Sequence, residues 1–88
     1  MGHQSTEQLE RMVIAAKQKI AVGQIYSHYK DATKRYRIIA IALDEASESV
    51  SVVYEALYAP YLAWIRPLNN FLESVTWQDK PVLRFQLN

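Results

Sequence analysis

The chain has 88 residues, of which 50% are hydrophobic and 22% are charged, with a formal net charge of +1. This length suits one small domain with a single core, and the near-neutral charge excludes a strong overall field that would recruit nucleic acid or an anionic membrane. The absence of cysteine excludes disulfides, thiolate catalysis and cysteine-based metal sites; with no long apolar run and no signal-peptide core, we expect a cytoplasmic protein.

The N-terminal segment predicts an amphipathic α-helix over residues 5–22. Ser5 and Gln8 have the spacing of a capping box. Apolar residues follow Leu9 at i+3, i+4, i+7 and i+11, which forms one stripe, and Gly23 is placed to end the helix. Two units are therefore predicted: an N-terminal helix, residues 1–22, and a β-rich unit, residues 23–88.

From residue 24 onward, β-branched and aromatic residues dominate and turn signals recur at short intervals. The predicted strands and extended pieces are residues 24–29, 35–44, 50–58, 61–66, 73–77 and 82–87, with a polar loop at 30–34 and a single helical turn at 68–72. Five or six short antiparallel strands after one helix predict a mainly β fold, with the strands curled into one small closed barrel.

The strand over residues 38–43 is apolar on both faces. Simple alternation places three residues on each face: Ile38, Ala40 and Ala42 on one, and Ile39, Ile41 and Leu43 on the other. A small barrel has only one interior, so the second face needs a cover. Two covers remain open, the stripe of the chain's own helix and a second copy of the chain. In the second case the N-terminal helix drives homo-oligomerisation.

Five motifs in the β-rich unit resemble a known family. They are IYSHYK, RYRIIAIA, VVYEALY, WIRPLNNFLE and PVLRF, in this order. They are similar to the pattern of a small bacterial family catalogued as a domain of unknown function, number sixteen fifty-three, over about residues 23–87. The resemblance implies a compact SH3-like β-barrel and brings no enzymatic activity, cofactor or ligand. The chain departs from the family pattern at Asp31 and Ala59, where the family usually has glycine, and its N-terminal helix is an addition.

Trp64 and Arg66 are the first candidates for a binding surface. They share one face of the fourth predicted strand. We expect Ile65, on the opposite face, to point into the core, because an arginine is rarely buried without a partner. An exposed indole can stack on a ligand, and the arginine beside it can bind an anion. In the alternative, Trp64 packs under a loop or the helix and Arg66 pairs with an acid such as Glu55 or Glu73.

Three more residues are expected to contribute: Tyr58 to the surface itself, and His28 and Arg84 at its edge. Tyr58 lies near the end of its strand, where its ring is expected to be accessible, and Arg84 is expected to point away from the core, opposite Phe85. His28 titrates near neutral pH and is a candidate base or ligand. No metal site is expected, since the only other histidine is His3. No nucleophile or triad signature accompanies His28.

The sequence therefore supports three hypotheses of different classes. The first is a non-catalytic binding module that uses Trp64, Arg66, Tyr58, His28 and Arg84, with an extended peptide, a nucleic acid strand or a small anion as ligand. The second is a small enzyme that uses His28 with an arginine. The third is a structural or assembly protein that oligomerises through its N-terminal helix.

Overall fold

The computed structural model describes residues 4–88 and confirms a mainly β fold with an N-terminal helix. Residues 1–3, including His3, lie outside the described range. The elements in chain order are α1 (Thr6–Lys19), β1 (Ile25–His28), β2 (Asp31–Leu43), β3 (Val50–Ala56), β4 (Ala63–Pro67), α2 (Leu68–Phe71), β5 (Ser74–Trp77), β6 (Lys80–Leu83) and β7 (Phe85–Leu87). No helix in the described range is long and apolar enough to cross a membrane.

The strands form two antiparallel sheets. Five strands lie in the order β4-β3-β2-β1-β7, and β5 pairs with β6 in a separate hairpin. The prediction of one closed cylinder is therefore wrong, although the arrangement is compatible with a small SH3-like barrel. Because the larger sheet does not close, β4 and β7 are its two edge strands.

The capping box at the start of α1 is confirmed. The backbone N–H of Gln8 donates to Ser5 Oγ at 3.1 Å, and the Ser5 N–H donates to Gln8 Oε1 at 2.8 Å. The helix ends earlier than predicted, at Lys19, because Ile20 adopts an extended backbone and turns its side chain into the core. Gly23, with φ +92°, lies in the following turn and does not end the helix.

Helix α1 packs on the sheet of its own chain. Ala16 and Ile20 are each 1% exposed and belong to the same buried cluster as Ile38 and Val52. We call the sheet face that carries Ile38 and Val52 the inner face and the opposite one the outer face. The helix therefore packs on its own chain but on the inner face, so it does not provide the cover that the sequence predicted for the opposite face, where Ile39 is exposed.

A β-bulge in β2 changes which residues share a face. Ile38 and Ala40 pair with consecutive residues of β3, so Ile39 is an extra residue between them. Because side chains alternate along a strand, this insertion brings Ile41 to the same face as Ile38. Ile41 pairs with the buried Val52 and packs against the core, whereas Ile39 is 41% exposed. The predicted pairing of Ile39 and Ile41 on one face was therefore wrong.

Two further boundaries differ from the prediction. The polar segment 30–34 is not a loop, because β2 begins at Asp31, which already pairs with His28. The segment 82–87 is not one strand, because it breaks at Arg84. Its first part pairs with β5 and its second part with β1, so two different partners impose two different directions.

The core beneath β3 and β4 is aromatic. Phe71, in the predicted helical turn α2, is 1% exposed and stacks on Phe85 with ring centroids 4.2 Å apart. Tyr26 and Tyr54 each meet the Phe71 ring edge-on at 5.3 Å. Offset stacks and edge-to-face pairs are the favoured geometries for such rings. This cluster fixes α2 against the sheet, and two of its rings reach the candidate site.

Candidate functional site

A pocket of about 220 Å³ opens to solvent on the inner face of the sheet. Five of its seven lining residues are tyrosine, tryptophan or phenylalanine, and none is a carboxylate. The lining consists of His28, Tyr36, Tyr54, Tyr58, Trp64, Arg66 and Phe85. Four of the five residues singled out from the sequence, His28, Tyr58, Trp64 and Arg66, are thus brought together here, while Arg84 is not part of the lining.

The pairing of β3 with β4 puts Trp64 and Arg66 in this pocket. Tyr54 lies opposite Trp64, and Val52 lies opposite Arg66. Residues directly opposite each other in a sheet share a face, so both β4 side chains join the inner face. Ile65 then points outward and is 61% exposed. The expectation that Ile65 faces the core is therefore wrong, because Arg66 finds partners that let it occupy the inner face.

Neutral and aromatic partners surround Arg66. Its Nε donates to Tyr54 Oη at 3.2 Å, and its Nη1 donates to Asn70 Oδ1. Its guanidinium carbon lies 5.5 Å from the centroid of the Phe85 ring, within the range of a cation–π contact. The direct ion pair with Glu55 or Glu73 that the sequence left open is not formed: neither acid is within salt-bridge distance of Arg66 among the described residues.

A hydrogen-bonded chain extends from Arg66 to a second arginine. Asn70 Nδ2 donates to Glu73 Oε2 at 2.9 Å, and the same carboxylate oxygen lies 3.4 Å from Arg84 Nη2. Asn70 is four residues after Arg66, and this spacing is the one sequence signal that could have identified it. This row of hydrogen-bonded side chains contains two guanidinium groups and one carboxylate, so its net charge is positive.

Arg84 differs from its prediction. Its side chain is only 21% exposed, and its Nε is buried with no hydrogen-bond partner in the described part of the chain. Its backbone N–H donates to the Glu73 carbonyl, and its own carbonyl accepts from the Tyr29 N–H. These bonds hold Arg84 at the break between β6 and β7, where alternation along a continuous strand no longer decides direction. The expectation that Arg84 points away from the core is therefore wrong.

His28 lines the pocket and carries one N–H donor in its neutral form. Its Nδ1 accepts the backbone N–H of Lys30 at 3.2 Å. A neutral imidazole with an accepting Nδ1 carries its proton on Nε2. Burial lowers the pKa of His28 from its ordinary value of 6.5, and the positive charges of Lys30, Arg66 and Arg84 lower it further. The ring is therefore neutral at pH 7 and retains one N–H donor.

Tyr36 and Tyr58 also line the pocket and contact each other. The hydroxyls of Tyr36 and Tyr58 are 2.6 Å apart, and Lys34 Nζ lies 4.3 Å from the centroid of the Tyr58 ring. Burial, followed by the hydrogen bond to Tyr58, raises the pKa of Tyr36 well above its ordinary range. The Tyr36 hydroxyl therefore remains protonated and uncharged at neutral pH. The sequence reading did not include Tyr36, although it lies two residues before Ile38 on the same face.

Trp64 lines the pocket and remains half exposed to solvent. Its side chain is 52% exposed, so it is not enclosed beneath a loop or the helix. The indole therefore has a free ring surface that can stack on a flat or apolar group. Between residues 4 and 88, no group of three or more histidine, aspartate or glutamate side chains could hold a metal ion.

Comparison with protein families matches residues 24–87 to the family described as "Protein of unknown function (DUF1653)". Comparisons with curated proteins and with solved structures found no match. The matched segment begins just before β1 and includes every residue of the pocket lining, whereas α1 lies before it. The chain therefore belongs to the DUF1653 family of proteins of unknown function, with an N-terminal helix added before the matched segment.

Proposed function

We propose that the chain is a non-catalytic binding module whose pocket holds an anionic group beside a flat or apolar part of its ligand. The observation that carries this proposal is the placement of Arg66 in an aromatic pocket without any lining carboxylate. A guanidinium is the side chain best suited to hydrogen-bond carboxylates and phosphates. The neutral His28 supplies a second donor, and the Trp64 ring supplies a stacking surface.

The position of Arg66 favours binding because the side chain is already ordered. Tyr54, Asn70 and the Phe85 ring fix the guanidinium from three directions. A flexible arginine loses rotamer freedom when it binds a ligand, and a preorganised one avoids that cost. The Glu73 carboxylate is shared between Asn70 and Arg84, so it does not pair with Arg66 directly.

Titration with inorganic phosphate tests this proposal. Binding is followed by the amide and indole N–H signals in two-dimensional NMR, and the Trp64 indole is expected to move. The Arg66→Gln variant removes the charge, and we expect affinity to fall roughly tenfold or more, because a hydrogen bond to a charged group contributes about 1.5–3 kcal/mol. The matched control is Arg37→Gln, because Arg37 pairs with Glu55 at 3.6 Å on the opposite face. Equal binding by both variants would refute the proposal.

A small enzyme remains the alternative, because the structure places His28 and Arg66 in the same pocket. A general base needs a free nitrogen lone pair, but Nδ1 of His28 already accepts the Lys30 N–H. The lining also lacks serine, threonine and carboxylate side chains that would act as nucleophiles. We therefore favour binding. A His28→Gln variant, which keeps an N–H donor, is expected to bind phosphate still.

Assembly through the N-terminal helix is less well supported than binding. Ala16 and Ile20, two residues of the apolar face of α1, are already packed in the core of the same chain. Ile14 is 50% exposed and remains available to another chain. A homo-oligomer through α1 would therefore have to use a different part of the helix. The cytoplasm remains the expected compartment of the module.

A further inference from the structure

The strand that carries Trp64 and Arg66 is also a free sheet edge. β4 pairs with β3 on one side and has no neighbouring strand on the other within residues 4–88. An edge strand presents unpaired backbone N–H and C=O groups and is a template for another extended segment. The pocket and this edge lie side by side because Trp64 and Arg66 of β4 also line the pocket.

The register shows which backbone groups are free. The Ala56 N–H donates to the Leu62 carbonyl at 2.8 Å, and Tyr54 lies opposite Trp64. In an antiparallel ladder every second residue of a strand bonds to the same neighbour, so Leu62, Trp64 and Arg66 bond to β3. The N–H and C=O groups of Ala63 and Ile65 then point to the open edge. A segment of peptide placed there can exchange backbone hydrogen bonds with these two residues.

The two faces of β4 would contact alternate side chains of such a segment. Side chains opposite Trp64 and Arg66 fall on the inner face, beside the pocket, where the surplus of guanidinium groups favours a carboxylate. Side chains opposite Ala63 and Ile65 fall on the outer face. There Ile65 is 61% exposed and its neighbour Val53 is only partly buried, which favours an apolar partner.

We propose that β4 and the pocket together bind an extended peptide in which acidic and apolar residues alternate. This inference rests on the proposed anion-binding role of the pocket and adds the class of ligand. A peptide fits better than a nucleic acid strand, because only a peptide backbone complements the free N–H and C=O groups of Ala63 and Ile65. The edge is short: Pro67 has no N–H, and Tyr61 has φ +60°, which departs from strand geometry. The peptide therefore pairs over about five residues.

The probes are two short peptides, acetyl-Val-Glu-Val-Glu-Val-amide and the matched acetyl-Val-Gln-Val-Gln-Val-amide, titrated by two-dimensional NMR. We expect the glutamate peptide to bind at least about tenfold more tightly, because it offers a charged acceptor to Arg66. Amide signals of β4 are expected to move together with the Trp64 indole signal. Binding of inorganic phosphate is measured in parallel and reports on the pocket alone.

Ile65→Pro tests the edge separately from the pocket. Proline removes only an outward N–H at this position, which edge strands tolerate, and Ile65→Thr is the control that keeps this N–H. We expect Ile65→Pro to weaken the glutamate peptide about tenfold while phosphate binding stays the same. A glutamate peptide with an N-methyl group on its central valine should lose a similar factor with the unmodified protein, so the test does not depend on the folding of Ile65→Pro.

Every other outcome of these titrations would contradict a specific part of the proposal. Unchanged affinity of both Ile65→Pro and the N-methylated peptide would overturn the use of the edge and leave the anion pocket intact. Binding of phosphate but of neither peptide would overturn this inference alone, whereas failure of phosphate and peptides together would overturn the proposed function as well. A dimer that Ile65→Pro converts to a monomer in sedimentation would show that a second copy occupies the edge, and would also overturn it.

Discussion

Removal of the Phe71 ring should bring the fold close to the limit of its stability. Phe71 is 1% exposed and contacts the rings of Phe85, Tyr26 and Tyr54. Phe71→Ala deletes the ring and leaves a cavity, which costs about 3–5 kcal/mol in comparable cores. A domain of this size has a free energy of unfolding of about 4–13 kcal/mol. Phe71→Leu keeps most of the apolar volume but loses the ring contacts, so it should cost about 2 kcal/mol.

Urea unfolding followed by far-UV circular dichroism measures this difference. With a slope of about 1 kcal/mol per molar urea, Phe71→Ala should lower the midpoint by about 3 M or more. Leu62→Ala is the control, because Leu62 is 50% exposed and its truncation should change the free energy of unfolding by less than about 0.5 kcal/mol. A cost below about 1 kcal/mol for Phe71→Ala would refute the reasoning, since α2 would then not be packed on the aromatic core.

Two further predictions concern the helix cap and the pocket histidine. Ser5→Ala removes the acceptor of the Gln8 N–H and should lower the free energy of unfolding by about 1 kcal/mol, measured by urea unfolding; no change would show that the helix end is already frayed. Because the folded chain lowers the pKa of His28 below 6.5, the unfolded chain binds this proton more readily. The contribution of neutral His28 to the free energy of unfolding is therefore lost as the pH falls from about 7 through 6.5, and the loss is complete once the pH is below the pKa of His28 in the folded chain. The same pH dependence in His28→Gln would contradict this assignment.

Local patterns in the sequence were sufficient for the elements whose partners are nearby or repeat regularly. Ser5 and Gln8 form the predicted cap because a capping box involves only four consecutive residues. In β3, simple alternation puts Val52, Tyr54 and Ala56 on one face, and all three are buried. Such elements depend on short-range geometry, which the order of residues specifies directly.

The prediction failed where a partner distant in sequence decides the orientation. Arg66 reaches the inner face because Tyr54, twelve residues earlier, accepts its Nε–H, and no local pattern contains that bond. Ile65 is consequently exposed. Arg84 turns inward because β6 and β7 pair with different strands around it. Trp64, Arg66 and His28 could be named as candidates from their chemistry, but their meeting in one pocket depends on strand order.

The extra residue Ile39 divides β2 into two halves of opposite parity. Upstream of it, even-numbered residues such as Tyr36 and Ile38 face inward and contribute to the pocket side; downstream, the odd-numbered Ile41 does so and supports the region covered by α1. One continuous strand thus directs side chains to the pocket in its first half and to the helix-covered region in its second half, and the alternation of inward and outward residues has the opposite phase in the two halves. Deletion of Ile39 would remove the bulge and restore simple alternation, with Ala40 still opposite Val53 and Ile41 still opposite the buried Val52. Deletion of Ala40 would instead move Ile39 into the position opposite Val53 and leave a strand without a bulge, so both halves of β2 would keep their inward side chains only as long as one residue of this pair remains.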